Sequence, residues 1–294
     1  MNRKDFIKLM ALTPIGAMSM DLKTFGNLSS EFSNSPLMPI LFLGHGSPMN
    51  AIEENEFTNS FKNLSSEFLK PNAVVCISAH WETKGTFVTA MEKPKTIHDF
   101  GGFPKELYEI EYPATGNPML AKDIQNLVQK TQIELDHQWG LDHGTWSVLK
   151  HIYPEADVPV LQMSIDFTQS PASLYNLGKE LQELRKKGVL FIGSGNIVHN
   201  LRRVAWNKLN EDNFGFDWAF EANNQFKNLI LSNNHKQLLD FTNLGTAANL
   251  AIPTPEHFLP LLYILGMKQK NDEISIFNDK AVGGSLTMTS FKFY

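Results

Sequence analysis

Cysteine is almost missing from this chain. Cys76 is the only one among 294 residues, which excludes an intrachain disulfide and any thiolate-based metal site. It sits within the apolar run AVVCISA, where a thiol serves as a small, inert core residue. A large excess of either charge is missing too, since 26 basic residues are set against 31 acidic ones, interspersed, for a net charge of −5. No basic stripe of the sort that nucleic acid requires is present. Nor is any run long and apolar enough to span a bilayer. Internal repeats, low-complexity tracts and a linker after residue 37 are also lacking, which leaves one domain. At 42% hydrophobic and 19% charged, the composition is that of a globular protein long enough for a large α/β core.

The N-terminus has a different character. MNRKDFIKLMALTPIGAMSM starts basic and turns apolar and small, the outline of an export signal. Arg3-Lys4-Asp5-Phe6-Ile7-Lys8 resembles a twin-arginine signal with Lys4 in the place of the second arginine, and Ala17-Met18-Ser19 is a weak cleavage match. Gly, Asn and Ser dominate from Phe25 to Pro36. Residues 1–36 are therefore expected outside the fold, as an arm or a degenerate signal, with the domain over 37–294. A cytoplasmic location is favoured over export.

From Pro39 the chain alternates short apolar runs with helical patterns. PILFLG (39–44), AVVCISA (73–79), PVLQMSI (159–165) and GVLFIGS (188–194) are continuous rather than alternating, as suits parallel strands covered on both faces. Helices are expected over Glu56–Leu69, Pro118–Lys130, Ala172–Lys187 and Asp217–Leu231. This order predicts an α/β fold with a mostly parallel central sheet flanked by helices. EISIFN (273–278) and SLTMTSFKFY (285–294) alternate more and are expected to pair near the sheet edge.

Nine histidines are present, and four stand where sites form. His45 follows the first run, His80 the second, and His199 the fourth by a short polar loop. The C-terminal ends of parallel strands share one edge, where open α/β folds place their ligands. His257 lies in PTPEHF, where Thr254 is expected to cap a helix, with Pro255 and His257 in its first turn. Any one of these could be an ordinary hydrogen-bonded loop residue. Together they predict a metal centre on His45, His80, His199 and His257 at the C-terminal strand edge. Without cysteine, such a set suits Fe(II), Zn, Mn or Ni. Gly44 and Gly46 leave His45 unencumbered, as Gly193 and Gly195 do before His199. GHGSP lacks the lysine of a P-loop, and GSGN is shorter than a dinucleotide fingerprint.

Two further segments carry chemistry. TIHDFGGFP (96–104) offers His98, Asp99, Phe100 and Phe103 around paired glycines, a loop suited to cover an aromatic substrate, or else a plain surface loop. GLDHGTWSVL (140–149) offers His143 for proton transfer, or else a helix start capped by Asp142. His137, His151 and His235 sit in polar surroundings and are expected to face solvent.

GHGSPMN, SAHW, TIHDFGGFP, LDHGTW, SGNIVHNLR and PTPEHFLPLLYILG, in this order, resemble the class III extradiol ring-cleavage dioxygenases, in the 4,5-DOPA dioxygenase branch. The likeness runs from about Pro39 to the C-terminus. It implies one non-haem divalent metal, Fe(II) for activity with Zn(II) possible in the same site, and a catechol and dioxygen as substrates. It further implies His45, His80 and His257 as ligands, His199 as acid/base or an extra ligand, and His143 beside the substrate. Distant members use a glutamate as third ligand, so Glu256 rivals His257. Adjacent helical residues diverge in direction, and both are not expected to reach one ion. Three alternatives stay open: a zinc hydrolase, a tetrapyrrole chelatase or metal carrier (a strand followed by GHGS also resembles cobaltochelatases), and a non-catalytic zinc module.

Overall fold

Strand residues that are apolar on both faces need cover on both sides, so the apolar runs gather at the middle of the sheet. The computed structural model describes residues 35–294. In chain order the strands are β1 (Ile40–Gly44), β2 (Ala73–Thr83), β3 (Thr86–Thr89), β4 (Ile133–Asp136), β5 (Val160–Asp166), β6 (Val189–Gly195), β7 (Ile274–Phe277), β8 (Ala281–Val282), β9 (Leu286–Thr287) and β10 (Ser290–Phe293). Eight of them form one sheet in the order β4-β3-β5-β2-β6-β1-β10-β7, and β8 pairs with β9 separately. The adjacent strands β5, β2, β6 and β1 are parallel, and every residue of β1, β5 and β6 is buried. Antiparallel neighbours flank this core, β3 beside β5, and β10 followed by β7 beside β1. The expected α/β class and the placement of the tail strands at the sheet edge agree with this order.

The helices differ from expectation mainly at their ends. Glu56–Leu64 and Pro118–Leu127 are shorter than expected, whereas Asp217–Leu231 has the expected bounds. The third expected helix changes winding, running as an α-helix over Pro171–Leu181 and as a tighter 3-10 helix over Gln182–Lys187. The tighter winding turns both Leu184 and Arg185 inward. The helix Leu259–Met267 is buried along its whole length, the pattern of a helix enclosed by the core rather than lying on the surface. Among the described residues no helix is long and apolar enough to cross a membrane. The expected N-terminal arm and signal lie outside the described residues, save Ser35 and Pro36. Ser35 already donates its N–H to the Lys186 carbonyl at 3.0 Å.

Strand β2 departs from its apolar run in a way that matters for the site. It continues four residues beyond Ala79, so His80 lies within the strand rather than after it. Pairing with β5 is regular as far as Ile77 opposite Met163, and resumes only at Glu82 opposite Ile165. Ser78–Trp81 thus bulge out of register, and bulges of this sort re-aim side chains beside sites.

One buried ion pair ties the chain's ends to this core. Arg185 is completely buried and grips Asp272 with two bonds, at 2.6 and 3.1 Å. It also donates to the carbonyls of Met38, just before β1, and Met267, at the end of the buried helix. Removing one partner strands the other charge inside the protein. Asp272→Ala is expected to lower stability by about 3–5 kcal/mol, read from urea denaturation midpoints.

Candidate metal centre

The glycines around His45 have a steric cause. A Cβ on Gly44 would lie 2.6 Å from the backbone of Met288, which runs past the end of β1. Gly46 has φ +67°, and a Cβ there would meet the Met288 sulfur at 2.6 Å. His45 therefore turns inward beneath the C-terminal segment, and only 2% of it is exposed. Its N–H donates to the Gly195 carbonyl at 3.1 Å, and Asn50 donates to its own carbonyl at 2.9 Å. The ring is also oriented. Ser194 Oγ donates to the Gly144 carbonyl, so at 2.9 Å it accepts from His45 Nδ1. The lone pair of His45 is then on Nε2.

Nε2 of His80 faces Nε2 of His45 at 3.2 Å, and Nδ1 of His80 faces the Asp99 carboxylate at 3.4 Å. His257 completes a trio in which each histidine offers a ring nitrogen and all three nitrogens lie within 4.8 Å of one another. His257 lies in the turn before the helix Leu259–Met267, not in its first turn as expected. The helix starts later because Thr254 bonds the Glu256 carboxylate at 2.9 Å instead of capping backbone, and Pro260 takes the early helical position. Glu256 in turn accepts from His257 Nδ1 at 3.0 Å. The two neighbours thus take complementary positions, the imidazole facing the trio and the carboxylate holding the imidazole.

His199 stands one layer out. Its ring stacks on His257 at 3.5 Å and 10°, and it groups with Glu256 and His257, not with His45 and His80. His143 opens the helix His143–Ile152 and packs its ring 3.9 Å from His80 and 5.6 Å from His45. Asp142 is the N-cap of that helix and is fully buried, accepting from Ser78 Oγ at 2.7 Å and from Gln162. Burial, aided by the nearby charge of Asp99, pushes its carboxyl up to about 6.

Burial also keeps the histidines neutral. It is the main cause lowering His45 and His257 well below the ordinary value of 6.5, His80 to about 3 and His199 to about 4, with crowding by neighbouring imidazoles adding to it at the first three. At 3.2 Å the two Nε2 atoms either share one proton in a hydrogen bond or face a common cation. Two nitrogens bound to one ion at about 2.0–2.1 Å stand about 3.0–3.4 Å apart. The donor set therefore fits one borderline divalent ion such as Fe(II) or Zn(II).

The aromatic loop stands beside the trio. Phe100 makes an edge contact with His143 at 5.6 Å, and Phe103 packs edge-on against Phe100 at 5.4 Å. His98 approaches Phe100, but its Nε2 is occupied by the Ile110 carbonyl at 3.0 Å. Both oxygens of Asp99 are engaged by His143. Of the histidines expected to face solvent, His137 is exposed. His151 and His235 are not, because each has a partner, the Asn50 carbonyl for one and the Tyr175 hydroxyl for the other. Sequence reasoning missed Ser194, Ser78 and Gln162, which orient the site from beneath. Ser194 sits inside GVLFIGS and Gln162 inside PVLQMSI, and a polar residue within a fully buried strand was the available signal.

Residues 38–288 match the family described as the catalytic LigB subunit of aromatic ring-opening dioxygenase. The chain belongs to that family. It is 45% identical over 263 residues to the 4,5-DOPA dioxygenase extradiol of Escherichia coli K12, covering 87% of this chain and 95% of that one. The enzyme of the same name from Beta vulgaris is 33% identical over 267 residues, covering 89% and 98%. A crystal structure of an uncharacterized Escherichia coli K12 protein superposes with a TM-score of 0.75 at 39% identity, covering 87% of this chain and all of that one. This LigB-family protein is an extradiol aromatic ring-opening dioxygenase, and that class displaces the hydrolase, chelatase and inert zinc-module alternatives.

Two measurements probe how the enzyme's site is built. Ser194→Ala frees the His45 ring and is expected to weaken Zn(II) binding about 10–100-fold in a chelator competition. Unchanged affinity would show that Ser194 does not orient the ligand. The second concerns acid. His199 is held near 4 in the folded protein against 6.5 when unfolded, so below 6.5 the unfolded chain binds the extra proton. The stability contributed by its neutral form is full above 6.5 and is lost as pH falls toward 4. The melting temperature of the metal-free enzyme is expected to drop between about pH 7 and 4.5, and to drop less in His199→Gln.

Proposed function

We propose that the enzyme opens the ring of a DOPA-like catechol with dioxygen, beside rather than between the two hydroxyl-bearing carbons, giving a muconic semialdehyde. The observation that carries this is the convergence of the neutral rings of buried His45 and His257 and half-buried His80 on one small volume. These three would hold the metal. Fe(II) bound there supplies the electron transfer that lets a catechol and dioxygen react, and a three-histidine set leaves positions for both.

The chain's own side chains do the rest. His143 stands against His80, and His199 against His257, so proton acceptors flank the trio on two sides. Either can take a hydroxyl proton from the catechol and return it as the ring opens. Phe100 and Phe103 give the substrate ring an apolar wall and keep water from the reacting atoms. The names of the relatives from Escherichia coli and Beta vulgaris support a DOPA substrate.

The test is direct. Protein loaded anaerobically with Fe(II) and given L-DOPA is expected to form a yellow product once oxygen is admitted, with one dioxygen taken up per catechol. The Zn(II) form and His45→Ala are expected to do neither. If the Fe(II) form takes up no oxygen with L-DOPA or simpler catechols, ring cleavage of this substrate class is refuted.

A further inference from the structure

Asp99 was expected beside the substrate, and its carboxylate is engaged by histidines. Its side chain is 15% exposed, and every short contact it makes runs to a histidine. Oδ1 accepts the backbone N–H of His143 at 2.8 Å, and Oδ2 accepts Nδ1–H of the same residue at 2.8 Å. The backbone bond satisfies one of the amides left free in the first turn of a helix, and the side-chain bond fixes the ring. A carboxylate held by two bonds to one residue determines both where that residue sits and which of its nitrogens carries the proton. With Nδ1 protonated, Nε2 is the nitrogen left with a lone pair.

We propose that Asp99 is a positioning residue that makes His143 a competent proton acceptor by fixing its place and its tautomer. The inference rests on the ring-cleavage reading above. Three observations support it. First, Asp99 and Phe100 are adjacent, and both contact His143, one through hydrogen bonds and the other edge-on at 5.6 Å. An aromatic substrate packed on Phe100 therefore presses on the segment that sets the His143 tautomer. Second, His143 cannot move to find another partner. Its helix start is anchored from below by Asp142, which Ser78 and Gln162 hold. Third, the loop tip beside Asp99 faces open space, since Gly101 and Gly102 have no atom within 4 Å of a built Cβ. The loop thus joins an aromatic wall to the proton acceptor through one carboxylate. His199 has no comparable carboxylate bond to its ring among the described residues. It stacks on His257 instead.

A double-mutant cycle tests this in the Fe(II)-loaded full chain with L-DOPA. Asp99→Asn is expected to lower kcat by about 100-fold or more, with KM changed little and metal content unchanged. In a His143→Gln background the same substitution is expected to add almost nothing, because a residue acting through His143 loses its effect with it. Additive losses, or a loss explained by missing metal, would overturn the proposal. A second measurement does not need turnover. In the 15N–1H NMR spectrum of the Zn(II)-loaded protein, His143 is expected as the Nδ1–H tautomer in the wild type, and as the other tautomer or a mixture in Asp99→Asn. A wild-type His143 protonated on Nε2 would overturn it even if Asp99→Asn does not fold. If the wild type fails to turn over while the tautomer is as expected, the ring-cleavage reading falls and the positioning of His143 stands.

Discussion

The site depends on one repeated constraint, that three of its imidazoles have Nδ1 occupied by an oxygen acceptor. Ser194 occupies that of His45, Glu256 that of His257, and Asp99 that of His143. A free imidazole chooses between two tautomers and rotates about two bonds. With one nitrogen bound to the scaffold, the other becomes a lone pair with a fixed direction. The bonds come from different depths, a hydroxyl within the sheet, a carboxylate in the turn before a buried helix, and a carboxylate on a loop.

Charge follows the same layering. The trio itself is neutral, since burial disfavours the charged form of its imidazoles. The carboxylates stand behind them. Burial would raise Asp99, but the bonds from His143 outweigh it and hold its carboxyl below the ordinary range. A cation bound among neutral donors with anions one bond further out is favoured by the whole arrangement.

Much of this was legible in the sequence, for physical reasons. Continuous apolar runs can only be doubly covered strands, and the ends of such strands must share an edge, so His45 and His199 could be placed near one another from pattern alone. The bulge in β2 was not legible, because the expected strand stopped at Ala79, and the loss of register over Ser78–Trp81 shows only against the pairing with β5. The late start of the last long helix was hidden for a related reason. Thr254 and Pro255 favour a helix start locally, but the bond from Thr254 to Glu256 wins once His257 must be turned. The roles of Ser194 and Asp99 depend on partners 149 and 44 residues away, and no local pattern encodes those.

The segment after β8 has a consequence for how the protein comes into being. β10 lies directly beside β1, Ser290 caps the Gly44 N–H, Met288 covers Gly46, and Thr287 and Ser285 bond the loop that carries His199. The earliest described strand of the chain thus waits for the last one before its flank is closed. His257 follows His80 by 177 residues and His45 by 212, so the three rings meet only after strands and a buried helix from opposite ends of the described residues have packed together. Any ion held by this trio would therefore report long-range folding, not a local motif.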